Sequence, residues 1–304
     1  MAGRRRPMIP AALLAACVLW GHGTAIAAGT EAVRTISRSQ GKPFSLPSDV
    51  AVDRNGVLFL LESGSRSISI YSPRGEFLRE IQGRGTWKDP SAIAVAPDGS
   101  IFLADGNSGR VLELELSGRI RREHTAGGNA RITGVGLYGS SVFGADNRNH
   151  RIVVFRRAGG APDYWGKRGE GPGELHSPYR LVVDPSGRVF VTDVMNARVQ
   201  WFSPFGKHLG TLKRFGAGEG RIFRPTGIAL DPRGQVWIGD SYTGLVQLFD
   251  LNGTFVKGIG ARGNPKVFAD PVGLAVSESG IWVADQKDNR VGMYGENINA
   301  KVRK

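Results

Sequence analysis

Tyr179 and Arg180 place a phenol and a guanidinium side by side, at a position where five related stretches of the chain carry smaller residues. An arginine binds carboxylates, sulfates or phosphates through paired charge-assisted hydrogen bonds, and an aromatic ring stacks on flat apolar surfaces. The same position in the first stretch carries a carboxylate, Asp49. These residue types predict a site for an anionic or sugar-like ligand. The candidate ligand-binding residues are Asp49, Arg131, Trp165, His176, Tyr179, Arg180, Arg221 and Arg224.

These side chains must be positioned by a cassette that the chain repeats six times. Its clearest copy reads RPTGIALDPRGQVWIGDS, from Arg224 to Ser241. A period of about 40–50 residues built from short strands is typical of a β-propeller, so each copy predicts one blade. The copies begin at Pro47, Pro90, Ile132, Pro178, Pro225 and Pro271, which are 42 to 47 residues apart.

Each copy contains the signals of four antiparallel strands. A short apolar strand runs into a turn such as Asp-Pro-Arg-Gly, where proline presets φ and glycine accepts a positive φ. A second strand ends on an acid, a third strand usually opens with a basic residue, and another glycine turn leads to the fourth. The acids are Glu62, Asp105, Asp146, Asp193, Asp240 and Asp285, and the arginines are Arg66, Arg110, Arg151, Arg198 and Arg290, with Leu245 in the fifth copy.

The six repeated acids allow two interpretations. They could form a ring of metal ligands around the channel, or each could accept hydrogen bonds from loop amides and pair with the arginine of its own blade. Because the pattern recurs in all copies whereas a binding site is normally asymmetric, we favour the structural interpretation.

The cassettes resemble NHL repeats, most closely at DNRNHRIVVF from Asp146, TDVMNARVQWF from Thr192 and ADQKDNRVGMY from Ala284. The resemblance covers residues 32–295 and implies an all-β fold, a six-bladed β-propeller of four-stranded antiparallel blades. The sixth copy stops after its third strand, so we expect residues 33–36 to supply the fourth strand. That strand would leave the last blade no unpaired edge.

Six-bladed relatives implied by this resemblance include zinc-dependent amidating lyases and metal-dependent lactonases. The matching inner positions of this chain carry no histidine, and the two rim histidines, His124 and His176, are too few for a three-ligand zinc site without carboxylates. We therefore expect no cofactor, and we retain a metal-dependent lyase or lactonase at the channel mouth, with a divalent metal, as an alternative. The inner positions are Asp49, Ala92, Gly134, Arg180, Gly227 and Gly273.

Residues 1–27 predict a secretory signal peptide. Three arginines precede the apolar run AALLAACVLW, which is too short to cross a membrane, and Ala25-Ile26-Ala27 supplies a cleavage site. Cys17 follows Leu14-Ala15-Ala16, so lipidation at Cys17 is a minor alternative. We expect export to the periplasm or the extracellular space.

The charge of the chain is strongly basic. Its 304 residues contain 40 basic and 27 acidic side chains, a formal net charge of +13. The predicted signal peptide holds three arginines and no acid, so the remaining chain keeps +10, and residues 296–304 form a basic C-terminal tail. In an exported protein such charge favours anionic envelope components over nucleic acid. We expect a protein or an anionic polysaccharide of the envelope as partner, no nucleic acid, and a monomeric propeller.

The sequence therefore predicts an exported binding or scaffold module that engages a protein or an anionic or sugar-like ligand through one rim of the propeller. We expect the contact on the side formed by residues 165–180 and 213–226. We also expect Arg180→Ala to weaken ligand capture without lowering the melting temperature. Two further interpretations stay open: Tyr179 and Arg180 could plug the channel, or the basic charge could attach the protein to an anionic envelope surface.

Overall fold

The computed structural model describes residues 34–37, 41–83, 85–259 and 268–295. These residues form six four-stranded antiparallel sheets, five of them built from four consecutive strands. The predicted all-β, six-bladed propeller is confirmed. The predicted signal peptide, Cys17 and the basic tail at residues 296–304 lie outside the described residues.

The strands are numbered along the chain, and the first strand of each blade lines the central channel. Blade 1 contains β2 (Pro47–Val52), β3 (Leu58–Glu62), β4 (Ser67–Tyr71) and β5 (Phe77–Gln82). Blade 2 contains β6 (Pro90–Val95), β7 (Ile101–Asp105), β8 (Arg110–Leu114) and β9 (Ile120–Thr125). Blade 3 contains β10 (Ile132–Tyr138), β11 (Ser141–Asp146), β12 (Arg151–Arg156) and β13 (Asp163–Trp165).

The other three blades follow the same order. Blade 4 contains β14 (Pro178–Val183), β15 (Val189–Asp193), β16 (Arg198–Phe202) and β17 (His208–Lys213). Blade 5 contains β18 (Pro225–Leu230), β19 (Val236–Asp240), β20 (Leu245–Phe249) and β21 (Phe255–Ile259). Blade 6 contains β22 (Pro271–Ser277), β23 (Gly280–Asp285), β24 (Arg290–Tyr294) and β1 (Arg34–Thr35).

The N-terminal strand closes the sixth blade, as predicted. Strand β1 pairs with β24 in a register that places Arg34 opposite Met293 and Thr35 opposite Gly292. Ile36 follows β1 and packs, buried, in an apolar cluster with Val291 and Met293. The two ends of the described chain therefore share one sheet.

Neighbouring blades pack face to face through apolar side chains. Between blades 1 and 2, Phe59, Leu61 and Ile68 pack with Ile93 and Leu103, and all five are buried. Fully burying one such side chain stabilises a protein by about 1.5–3 kcal/mol. A single blade cannot cover both of its own faces, so the cassette repeats until the ring closes.

The ring has a bottom face, which carries the turns between first and second strands and between third and fourth strands. Asp53 closes one such turn, because its Oδ1 accepts hydrogen bonds from the N–H groups of Asn55 (2.9 Å) and Val57 (2.8 Å). Gly56 takes a φ of 79° in this turn, which glycine accepts without steric cost. Asp184 and Asp231 hold their own turns in the same way.

The top face carries the loops that precede the first strands and the loops that join second and third strands. All six repeated acids are fully buried beneath it, and each accepts a hydrogen bond from the loop before its first strand. Asp105, for example, accepts from the N–H groups of Lys88 (3.0 Å) and Asp89 (2.6 Å) and pairs with Arg110 at 2.8 Å. Equivalent acid–arginine pairs occur in blades 3, 4 and 6. The geometry agrees with the structural interpretation of these acids.

Candidate functional site

Arg180 belongs to β14, and its side chain extends into the channel and is only 4% exposed. Its guanidinium donates hydrogen bonds to the carbonyl oxygens of Ser48 (2.6 Å), Val272 (3.4 Å) and Thr133. These carbonyls belong to blades 1, 6 and 3, so one side chain bridges blades on several sides of the ring. This geometry agrees with the interpretation in which Arg180 plugs the channel; its role in ligand binding stays a prediction.

Asp49 lies beside Arg180 in the channel and is 7% exposed. Its two oxygens accept hydrogen bonds from the N–H groups of Val50 (3.0 Å) and Ile93 (2.9 Å). Burial raises the pKa of Asp49 from its usual 3.8 to about 6, against the opposing effects of Arg180 and the two N–H donors. Asp49 and Arg180 lie at the upper end of a channel cavity of about 300 Å³, and the first strands of the six blades supply its lining.

Above Arg180, the top face contains a second cavity, of about 460 Å³, which is lined by residues of blades 3, 4, 5 and 6. Three of the predicted residues line it together: Arg131, Tyr179 and Arg224. Tyr179 also connects the two levels, because the Arg180 guanidinium carbon lies 4.8 Å from the centre of the Tyr179 ring. We call this space the top cavity.

The top cavity is positively charged. Arg131, Arg224 and Lys287 line it with exposed side chains, and none of them forms an ion pair with a residue that the structure describes. Asp270 is the only acid in the described lining; burial and then the neighbouring carboxylate of Asp285 raise its pKa, against the effect of Arg224. The cavity therefore presents three cations against one carboxylate.

The lining also holds polar side chains without charge. The Thr226 side chain is 6% exposed, and its hydroxyl has no hydrogen-bond partner among the described residues. Ser177, Ser241 and Asn147 add hydroxyl and amide groups to the same wall. The top cavity thus combines cations with hydrogen-bonding groups.

Three predicted residues lie away from the top cavity. Trp165 is in the outer strand β13 and packs against Phe202, with ring centroids 4.7 Å apart. Arg221 is exposed in the connector between blades 4 and 5. His176 lies with His150 at a ring-centroid distance of 5.3 Å. Within the described ranges, no group of three or more His, Cys, Asp or Glu side chains is arranged to hold a metal ion.

The sequence interpretation missed an aromatic stack beside the top cavity. Phe223 lies between Phe215 and Tyr242, with ring centroids 5.5 Å and 4.1 Å apart and rings inclined by 29° and 25°. Phe215 is 62% and Tyr242 53% exposed. The available signal was Leu245, which replaces the arginine in this blade alone and so marks blade 5 as exceptional. We call these three rings the aromatic stack.

A family model for the NHL repeat matches residues 224–249, which include Arg224 and strands β18 to β20 of blade 5. The chain is a six-bladed β-propeller with an NHL repeat. Among solved structures, the propeller is similar to a catalytically inactive variant of virginiamycin B lyase from Staphylococcus aureus with quinupristin. The identity is 14%, the match covers 88% of this chain and 89% of that chain, and the TM-score is 0.64.

Two further solved structures share the propeller. One is a structural genomics protein of unknown function from Bacteroides thetaiotaomicron, with 17% identity, 90% and 75% of the two chains covered, and a TM-score of 0.65. The other is a chain of a nidogen/laminin complex, with 16% identity, 73% and 82% covered, and a TM-score of 0.58. At these identities the likeness shows the fold alone, so function has to be argued from the site. The described part of this propeller contains no helix with the length and apolar character needed to cross a membrane.

Proposed function

We propose that this propeller is an exported binding module whose top cavity holds the anionic part of a ligand. The observation that carries the proposal is the set of three cations, Arg131, Arg224 and Lys287, that line one cavity without an ion pair among the described residues. An unpaired guanidinium at a concave surface favours a carboxylate, sulfate or phosphate, which it binds with paired hydrogen bonds. A volume of about 460 Å³ lies within the range of small-ligand sites.

The repeated acids give this site its rigidity. The N–H group of Arg131 donates to Asp146 at 3.0 Å, and the N–H group of Arg224 donates to Asp240 at 2.9 Å. Both arginines therefore start from a backbone that a buried carboxylate fixes in place. Fixing binding groups before the ligand arrives reduces the entropy that binding costs. The fold and the site thus depend on the same buried acids.

Fluorescence anisotropy with three short labelled anions tests the proposal: tetragalacturonate, tetraglutamate and tripolyphosphate. We expect the Arg131→Gln/Arg224→Gln double variant to bind the preferred anion roughly tenfold or more weakly, about 1.4 kcal/mol or more, because it loses two charge-assisted contacts. Its melting temperature should stay unchanged, since both guanidinium groups are exposed and unpaired within the described residues.

The matched control removes the same charge from the opposite face. Arg54 and Arg233 are exposed in turns of the bottom face, so Arg54→Gln/Arg233→Gln changes the net charge equally without touching the top cavity. If the control weakens binding as much as the top-face variant, attraction to the overall charge of the protein explains binding and the proposal is wrong. Anions that bind with no dependence on either pair also contradict it.

The proposed binding needs no cofactor. Elemental analysis of the mature protein, purified without chelators, should find no stoichiometric divalent ion. A stoichiometric zinc or calcium ion would instead favour the metal-dependent lyase or lactonase alternative at the channel mouth.

A further inference from the structure

The two terminal rings of the aromatic stack, Phe215 and Tyr242, are exposed. Elsewhere in the ring, aromatic pairs such as Phe190 and Trp201 lie buried between blades. In the stack, by contrast, only the central ring, Phe223, is half-buried, and the two terminal rings keep more than half of their surface open. Exposed apolar surface of this kind in a soluble protein indicates an interaction site.

Asp240 holds the stack in place. Its Oδ2 accepts hydrogen bonds from the N–H groups of Phe223 (2.6 Å) and Arg224 (2.9 Å), and its Oδ1 accepts from those of Tyr242 and Thr243, both at 3.0 Å. In four other blades an arginine pairs with the equivalent acid, but blade 5 carries Leu245 at that position. One buried carboxylate thus fixes two stacked rings and one cation of the top cavity.

The aromatic stack adjoins the lining of the top cavity along the chain at two points. Arg224 lines the cavity and directly follows Phe223, while Ser241 lines the cavity and directly precedes Tyr242. The stack and the cavity therefore share two loops of blade 5, the one that precedes β18 and the one that joins β19 to β20.

We propose that this combined surface binds an acidic oligosaccharide, a chain of uronic acid sugars. The inference rests on the proposed function, because it assigns the anion in the top cavity to a sugar carboxylate. Arg131, Arg224 and Lys287 bind carboxylates, and a sugar ring of the same chain places its apolar C–H face on the open face of Tyr242 or Phe215. The electron-rich face of an aromatic ring attracts such polarised hydrogens.

The lining of the cavity favours a sugar over an acidic peptide. Ser177 and Thr226 contribute hydroxyls. Ser241 and Asn147 donate hydrogen bonds to the backbone carbonyls of Arg224 and Pro178, and their side-chain oxygens can accept hydrogen bonds from a ligand that carries hydroxyl groups on every ring. The Thr226 hydroxyl, buried and without a partner among the described residues, can pair with one such group.

Three probes separate these ligand classes: tetragalacturonate, its neutral methyl ester and tetraglutamate. We expect wild-type protein to bind tetragalacturonate more tightly than either of the other two. Tyr242→Ala and Phe215→Ala should each weaken tetragalacturonate roughly 2- to 10-fold, as expected for loss of an aromatic contact. Phe205→Ala, which removes a 92% exposed ring from a bottom-face turn, is the matched control and should leave binding unchanged.

The outcomes distinguish this inference from the proposed function. One outcome contradicts the oligosaccharide proposal alone: tetraglutamate binds at least as tightly as tetragalacturonate, and neither aromatic variant changes the affinity. The proposed anion site still stands in that case if Arg131→Gln/Arg224→Gln weakens the binding of both probes. If no probe depends on those arginines, both proposals are wrong. Saturation-transfer NMR on wild-type protein gives an answer that does not depend on variants. Sugar ring protons should receive magnetisation from aromatic protons, and the absence of that transfer would contradict the proposal that a sugar ring packs on the aromatic stack.

Discussion

The two faces of the propeller each carry a cavity, and the two cavities have opposite charge. The bottom cavity, of about 630 Å³, is lined by acids with a single arginine, whereas the top cavity is lined by three cations with a single acid. The charged residues are Asp53, Arg54, Asp184, Asp231 and Glu278 at the bottom, and Arg131, Arg224, Asp270 and Lys287 at the top.

Folding explains the negative charge of the bottom face. Three of its acids, Asp53, Asp184 and Asp231, accept backbone hydrogen bonds within their turns. Burial alone would raise the pKa of Asp184, but hydrogen bonds from Ser186 and Arg188 together lower it, so this acid is satisfied as an anion. The cations of the top cavity have no such internal role among the described residues. We therefore assign the positive charge of the top cavity to ligand binding, because it does not stabilise a turn or a blade among the described residues.

The largest effect should come from Arg180, the buried residue at the upper end of the channel cavity. Arg180→Met leaves the carbonyls of Ser48, Thr133 and Val272 without their donor and Asp49 without its neighbouring cation. We expect a loss of about 3–5 kcal/mol of unfolding free energy, measured by urea denaturation. This replaces the expectation that Arg180→Ala leaves the melting temperature unchanged, which ignored the burial of the side chain.

A bottom-face arginine supplies the comparison for that experiment. Arg188 pairs with Asp184 at 2.6 Å but is 35% exposed, so Arg188→Met should cost only about 1 kcal/mol or less. Equal losses for the two variants would show that Arg180 does not bridge the blades as described.

The next effect is a dependence on pH that originates at the channel mouth. Asp49 has a folded-state pKa of about 6, above its usual 3.8, because burial favours its neutral form. The folded state therefore binds the proton more tightly than the unfolded state, and stability falls as pH rises from about 4 to about 6 and then levels off. The loss should be on the order of 3 kcal/mol, and Asp49→Asn should abolish it.

Urea denaturation of both proteins across this pH range checks the prediction. Asp184→Asn on the bottom face is the control. Because the pKa of Asp184 is lowered, its contribution to stability rises with pH and does so at lower pH, so this variant should keep the wild-type fall in stability between pH 4 and 6. If wild type and Asp49→Asn show the same dependence on pH between 4 and 6, Asp49 does not titrate there.

A smaller effect compares one buried anchor from each face. Asp240 uses both oxygens, each for two N–H groups, so an asparagine there turns an amide N–H toward two donors. We expect Asp240→Asn to cost about 2–3 kcal/mol and to weaken tetragalacturonate, because Arg224 and Tyr242 lose their anchor. Asp231 accepts both its turn hydrogen bonds with Oδ1 alone, so Asp231→Asn should cost less than about 1 kcal/mol and leave binding intact.

Melting curves and anisotropy titrations on the two variants provide the readouts. Loss of binding in Asp231→Asn would contradict the assignment of function to the top face. Full binding in Asp240→Asn would show that the anchor does not position the site.

The sequence was sufficient for the fold because its signals are local and repeated. Turn residues such as Asp231 and Gly234 form a turn with residues only a few positions away, and the acid of each blade can be identified directly in each copy of the cassette. The site was only partly predictable. Arg131 and Arg224 precede first strands, so their place on the top face followed from the repeat, and Tyr179 was marked by its departure from the repeat.

The rest of the site depends on the directions in which side chains point, which a single sequence does not show. Arg180 was marked by the same departure as Tyr179, but its side chain turns into the channel, and this rotamer is set by carbonyls of three other blades. Trp165 packs sideways on Phe202 because β13 is a short outer strand. The stack of Phe215, Phe223 and Tyr242 joins the loop before β18 to the loop between β19 and β20, so the folding of blade 5 brings it together.

The most direct test of the central claim, that the top cavity binds an anion, is an NMR titration that follows arginine Nε–H signals as unlabelled tetragalacturonate is added. Our account predicts that the signals of Arg131 and Arg224 shift and saturate together, while those of Arg54 and Arg233 on the bottom face stay in place. The signal of Arg180, whose guanidinium is committed to three carbonyls, should move little. Shifts at Arg54 and Arg233 without shifts at Arg131 and Arg224 would contradict the account.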